Sequence, residues 1–273
     1  MSTMLTTNVQ ALASSDRAAL ILGPLLDEGL GTRAEVAQVA QTGATEYRIP
    51  IVRSGAAAAW VSEGEEIAPS ALDVGELTIT PRKLAGLVPI SRELAEDSSP
   101  SAIEEVGRSL AQSVIFHADA ALLGNAEAPG PEGLAQQTDV QEIDGGALAS
   151  LDPLHSAKTE IAVAGGTATS IVAHPRDILK LAQLKDADGS NRGLVEDTTT
   201  VVGLPLIASQ HATEGTVWVL DSSAITTVIR ENVEVESSRD VYFSSDRIAV
   251  RATARLAYGF AYPERLAKIT ITG

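Results

Sequence analysis

Four histidines, two acidic groups and one glycine-rich stretch hold most of the chemical capacity of this chain, and their spacing decides what they can do. His117, His155, His174 and His211 are scattered, with none of the i, i+4 spacing of a helix-borne metal site. The chain has no cysteine, which removes thiolate nucleophiles, disulfides and cysteine-held metals. Asp186, Asp188, Ser190 and Asp197 imitate the ligand positions of a calcium loop, but Asn191 stands where the sharp turn needs glycine and the last ligand is Asp rather than Glu. That stretch reads as an acidic loop. Glu65 and Glu66 are adjacent, so on a strand they point to opposite faces and cannot work as an acid–base pair. Gly29, Gly31 and Ala34 have the spacing of a dinucleotide fingerprint without the strand and βαβ unit that give it meaning. No GxSxG, HExxH or GxxxxGK[ST] segment occurs. The expectation is no catalytic residue, no cofactor, no metal and no enzyme.

The elements that would position any site are built from small aliphatic residues. Hydrophobic residues make up 44% of the 273 positions and aromatics only 3%, enough for a real core but not for pockets lined with rings. The formal charge of −16 repels phosphate backbones, which argues against sequence-specific nucleic-acid binding. No apolar run reaches the roughly 18 residues of a membrane span, and the N-terminus lacks a signal pattern.

Residues 1–46 are rich in Ala, Thr, Ser and Gly and read as an arm with little core of its own, with a helix-capable run from Val9 to Leu22 halted at Gly23-Pro24. Tyr47 to Val52 is a strand leading into a two-limbed excursion. Between Ser54 and Pro81 it holds the acids Glu63, Glu65, Glu66, Asp73 and Glu76 and no base. Its return limb alternates Leu77 and Ile79 with Thr78 and Thr80, and Pro81 and Pro89 suit an edge strand. The excursion is too narrow for a core, so its apolar residues need another surface.

A helix over Ser101 to Leu123 is announced by Ser99, Pro100 and the acids Glu104 and Glu105, and stopped at Gly124-Asn125. Ile103, Val106, Leu110, Val114 and Ala118 form one apolar stripe, making it a one-sided rod. A Gly/Pro-rich segment, 125–133, separates it from an α/β region. There a helix runs from Asp152-Pro153 to Gly165-Gly166, TSIVAHP is a strand, Pro175 opens a second helix, and VVGLPLIAS and GTVWVL are further strands. In DRIAVRATARLAYGF, Ile248, Val250, Ala252, Ala254, Leu256 and Tyr258 share one strand face, while Arg247, Arg251 and Arg255 share the other.

Three blocks together resemble the HK97-like major capsid proteins of tailed bacteriophages. They are AAWVSEGEEI…LTITPRKLAGLVPISRELAEDS, AHPRDILKLAQLKDADG…TTVVGLPLIAS and VEVESSRDVYFSSDRIAVRATARLAYGF. The first is the most specific, with Trp-Val-x-Glu-Gly followed by Pro-x-Lys-Leu and Ser-x-Glu-Leu. The resemblance implies an α+β fold with an N-terminal arm (1–48), an extended β-hairpin loop (49–85), a peripheral domain on a long spine helix (86–125), an axial α/β domain (126–230) and return strands (231–273). It implies pentamers and hexamers in an icosahedral shell around double-stranded DNA, in a virion assembled in the bacterial cytoplasm. The long helical scaffolding segment that precedes the arm in some members is absent, so the expectation is either a separate scaffolding protein or a chain numbered from after a cleaved or unneeded segment, with a portal and decoration proteins as further partners. Residues Ser54 to Pro81 contain no lysine, which speaks against the covalent crosslinking some relatives use.

The expected contacts between copies pair Trp60, Glu63, Glu65 and Glu66 of the loop with the Arg247, Arg251 and Arg255 face of a neighbour. An encapsulin-like compartment, which shares the fold and encloses enzymes, is the closest alternative, and a soluble α/β hydrolase is the reading from a different class.

Overall fold

The period-two stretch near the C-terminus and the striped helix meet in one layer. The computed structural model describes residues 19–20, 28–54, 60–64, 66, 73–97, 102–124, 126–187, 190–195 and 199–272. In chain order the elements are β1 (Ala19–Leu20), β2 (Gln38–Gln41), β3 (Tyr47–Ser54), β4 (Asp73–Ile79), β5 (Arg82–Ser91), α1 (Arg92–Asp97), α2 (Ala102–Leu123), β6 (Gln141–Gly146), α3 (Asp152–Val163), β7 (Ser170–Ala173), α4 (Pro175–Gln183), β8 (Thr200–Val201), β9 (Leu204–Ala208), β10 (Thr216–Leu220), β11 (Ile225–Tyr242), β12 (Arg247–Phe260) and β13 (Ala267–Ile271).

The first sheet runs β1-β11-β12-β5, with β2 parallel to β11. β12 alternates as its sequence requires: Ile248, Val250, Ala252, Ala254 and Leu256 are buried on the side that faces α2, and Arg247 and Arg251 are exposed on the open side. Against them α2 sets Gly107, Ala111, Val114, Ala118 and Leu122, with Ile103, Val106 and Leu110 partly buried beside them. At 22 residues α2 is about 33 Å long, enough to run along most of the sheet. Its residues Ser99 to Ser101, where the helix start is expected, lie outside the described residues. β5 lies at the sheet edge, as Pro89 demands, because a strand with partners on both sides would leave a ladder acceptor without a donor there.

The second sheet has the order β6-β13-β10-β7-β9-β8 and packs α3 and α4 around Leu154, Ile161, Ile171, Leu181 and Ile269. His174 caps α4 by accepting from the Arg176 amide at 3.2 Å, and Pro175 fills the first helical position. The expected VVGLPLIAS strand is a tight hairpin, β8 to β9, turned at Val202-Gly203 by two positive φ angles of 55° and 75°.

Two expectations for the N-terminal region change. The helix-capable run from Val9 to Leu22 lies mainly outside the described residues, but Ala19–Leu20 are extended and pair with Val235 and Glu236. Residues 28–41 are also not a coreless arm. Leu30, Val36 and Ala37 are buried in the main core, and the Gly29–Ala34 stretch forms a 3-10 turn at Leu30–Thr32 rather than a nucleotide loop. Gly31 is required there, since a Cβ would stand 2.9 Å from Tyr258 and 3.2 Å from the Thr227 hydroxyl. Thr227 donates to the Gly31 carbonyl at 2.5 Å, and Tyr258 donates to the Ala118 carbonyl at 2.8 Å.

Asp119 of α2 holds this turn by accepting the Leu30 amide at 2.7 Å. Burial drives its carboxyl up from 3.8 to about 6, opposed by the Leu30 and Gly31 amides and Arg33. The native state therefore binds more protons than the unfolded chain between those values, so this group's contribution to stability falls as pH rises from 3.8 through about 6. Asp119→Asn keeps the acceptor and removes the charge. Urea unfolding of dissociated subunits should show a shallower loss of stability over that interval in the variant than in the parent. Identical pH slopes would show that Asp119 does not titrate in the native state as its burial requires.

Candidate assembly surfaces

The hairpin β3–β4 is a two-stranded sheet of its own, in register from Tyr47↔Ile79 to Ser54↔Asp73. Its base is not free. Ile79 is buried against Val228 and Ala257 on the open side of the first sheet, with Ala40, Tyr47, Ile49 and Leu77 around it. The expectation that the excursion depends on other surfaces for its apolar residues is thus met partly within the chain. Arg48 bridges Glu46 and Glu76, each at 3.2 Å, in full contact with solvent. Further out, Val52 and Val74 sit on paired positions and are exposed to 43% and 53%. At the tip Trp60 is wholly solvated, at 105% of its reference exposure, and Val61, Glu63 and Glu66 are exposed beside it. Glu65 lies outside the described residues.

The arginine face exists, but part of its charge is already matched. Arg251 pairs with Glu236 and Arg255 with Glu231 at 2.9 Å, both from β11, the strand alongside. These partners are directly opposite in the antiparallel register, Glu236↔Arg251 and Glu231↔Arg255. Among the described residues, Arg247 has no carboxylate within ion-pair distance, and neither do Arg82 and Lys83 at the start of β5. The structure thus brings Arg247, Arg251 and Arg255 onto one face and leaves Trp60, Glu63 and Glu66 projecting from another part of the subunit. It does not bring the two sets together within one chain. Arg82 and Lys83 follow directly on the acid-only excursion, as Arg53 precedes it; the open position of Arg82 and Lys83 became visible only with β5 at the sheet edge.

Nothing in the geometry resembles a catalytic or metal centre. Among the described residues no three His, Asp or Glu side chains gather as metal ligands, and no helix is long and apolar enough to cross a membrane. Asp188 and Asp197 of the acidic loop lie outside the described residues. His211 does find a partner, stacking edge-on against Phe116 at 4.1 Å, and its pKa is lowered by burial and by nearby His117.

A sheet clasped by one long helix, a second α/β sheet and a projecting hairpin together define the HK97-like capsid fold. Solved structures of that class align over nearly the whole chain. A capsid chain of a native GTA particle has a TM-score of 0.74 at 16% identity, covering 94% of this chain and 93% of its own. A chain from Mycobacterium phage Bobi has 0.74 at 18%, covering 100% and 96%. One from Microbacterium phage Oxtober96 has 0.75 at 19%, covering 99% and 100%. Comparison with curated proteins finds no match. The sequence model of the phage capsid family matches residues 13–271, and the chain belongs to that family: it is a structural protein of a capsid.

The aim of the hairpin depends on Gly259 of β12. A Cβ there would stand 2.7 Å from Cγ1 of Ile79 and 3.2 Å from Cδ2 of Leu77. Gly259→Ala should cost about 1–3 kcal/mol in urea unfolding by overpacking this contact. Adding Ile79→Ala should recover part of the loss, so the double variant should be more stable than the sum of the two single costs. Simple additivity would mean that the hairpin base does not rest on Gly259.

Proposed function

We propose that copies of this chain tile as pentamers and hexamers into an icosahedral shell enclosing double-stranded DNA of a tailed phage or a GTA-type particle. The observation that carries this reading is a hairpin rooted firmly at its base while Val52, Trp60, Val61 and Val74 stay exposed toward its tip. At ~25 cal/mol per Å² of apolar area, covering such limbs on neighbours stabilises a lattice through many modest contacts. The division into arm (1–48), extended loop (49–85), peripheral domain (86–125), axial domain (126–230) and return strands (231–273) is part of this proposal. The net charge of −16 suits a wall that contains DNA without binding its sequence. A separate scaffolding protein, a portal and decoration proteins complete the assembly, which takes place in the host cytoplasm before the protein resides in the virion.

Within the shell, the acidic tip carrying Glu63, Glu65 and Glu66 lies over the Arg247, Arg251 and Arg255 face of a neighbour. The attraction is strongest at the Arg255 end of that face, where Lys83 lies opposite in register without a carboxylate partner among the described residues. Negative-stain microscopy and size exclusion of the purified chain test the function itself. Capsomers or megadalton particles containing DNA support it, particles filled with an enzyme would make it a compartment shell, and a small soluble oligomer would overturn it. Reversing Glu65 and Glu66 to Arg should sharply reduce particle yield, and adding Lys83→Glu should restore part of it. Undiminished yield from the first change removes the pairing.

A further inference from the structure

A fully solvated indole is hard to reconcile with a chain that has only 2 Trp and 3% aromatic residues. Trp60 and Val61 present apolar surface, and Glu63 and Glu66 follow within a few residues, all exposed. A receptor for this segment must combine an apolar floor with a cationic rim.

One cavity among the described residues meets both conditions. It has a volume of about 520 Å³ and lies between the start of β5, the C-terminal half of α2 and the turn at 126–131. Leu84, Ala118, Ala121 and Leu256 give it an apolar floor, with alanines on the helix wall leaving the space open. Arg82 and Lys83 stand at its edge against a single acid, Glu127, with His117 on the helix wall. Neither Arg82 nor Lys83 has a carboxylate partner in the subunit. His117 Nδ1 lies 2.7 Å from the Ser113 carbonyl, which can only accept, so this nitrogen carries the proton. Nε2 of the neutral ring is then the acceptor that an indole N–H requires.

We infer that this cavity receives Trp60 of a second copy of the chain. A chain's own Trp60 does not fill it, being fully exposed in the same subunit. Charge complementarity favours another copy: the segment from Ser54 to Pro81 has five acids and no base, and the cavity rim is predominantly basic. The inference rests on the shell reading and gives it a contact point. β5 is a free edge one strand wide, about 4.8 Å. Three residues of extended chain reach roughly 10 Å. With Trp60 on the helix side of β5, Glu63 and Glu66 can pass round the edge to Lys83 and to Arg255, its neighbour in register.

Tryptophan emission of the full chain tests this directly, because the other tryptophan, Trp218, is already buried at 3% exposure. Emission should shift to the blue when subunits enter particles, and acrylamide quenching should fall. Trp60→Phe should abolish both changes while leaving the Trp218 signal in place. Ala120→Phe, which narrows the cavity from a half-buried position, and Arg82→Glu should each keep the subunit's circular dichroism and lose the shift or the particles. Glu63→Arg combined with Arg82→Glu should bring particles back. Particles in which Trp60 remains as quenchable as in free subunits overturn the cavity and leave the shell reading intact. A buried Trp60 that ignores both Ala120→Phe and Arg82→Glu means that another surface covers it, and overturns the inference too. If the parent chain forms no particles with its scaffold, the shell reading and this inference fall together.

Discussion

The packing of α2 against β12 and β5 is the constraint on which the other surfaces depend. It uses Gly107, Ala111, Ala118 and Ala121 on the helix and Ala252 and Ala254 on the strand. Small residues allow close approach and supply apolar contact without aromatic bulk, which is how a chain so poor in aromatics still builds a core. The contact also decides which strand faces are spoken for. Once even-numbered residues of β12 face the helix, odd-numbered ones must face away, and the arginines have one available side. The hairpin base then settles on that same open side, where Ala257 offers no obstruction and Gly259 leaves room for Ile79.

This arrangement separates stability from assembly. The base of the hairpin is buried in the subunit, while its distal apolar residues are left in water. The segment 28–41 behaves in the opposite way, since Leu30, Val36 and Ala37 contribute to the core and Asp119 ties the chain to α2. A subunit built in this manner can fold before it meets a neighbour, and still retain surface whose burial rewards the meeting. Electrostatics follow the same division. Arg251 and Arg255 are half-exposed cross-strand pairs of modest worth to the subunit. In the proposed contact, Arg82 and Lys83, which have no carboxylate partner among the described residues, are the bases left to set the register of a neighbour.

What the sequence made legible was whatever depends on neighbours along the chain. The alternation of β12 and the stripe of α2 carry their own periods, so both were readable, as were the helix starts at Pro153 and Pro175 and the edge character given by Pro89. The docking of Ile79 into the space at Gly259 joins residues far apart in sequence, and no local pattern announces it. The pairing of Arg251 and Arg255 lay between these cases. Glu234 and Glu236 alternate as strand residues do, but bulges between Ile229 and Tyr242 shift the register, so the matching acid opposite each arginine could not be counted off in advance. The cavity beside β5 needs three separate segments to exist at all. The run from Val9 to Leu22 shows the converse error: helix-capable composition was read as helix, and at Ala19–Leu20 an available strand edge on β11 won.

The hairpin tip and the cavity beside β5 are different patches of one surface. An interface made from two unlike patches is head-to-tail, so each copy that gives a tip to one neighbour must receive a tip from another. Such contacts either close into rings or run on without limit, and the rotation between neighbours decides which. A hairpin seated at its base restricts that rotation. Rings of five and rings of six differ by only a small turn per subunit. A single buried indole, surrounded by salt-sensitive pairs, would then act as the fixed point about which the turn is taken. The proposed use of one chain in both ring sizes is thus compatible with the proposed contact at Trp60, specific at the indole and governed by weaker charge pairs around it.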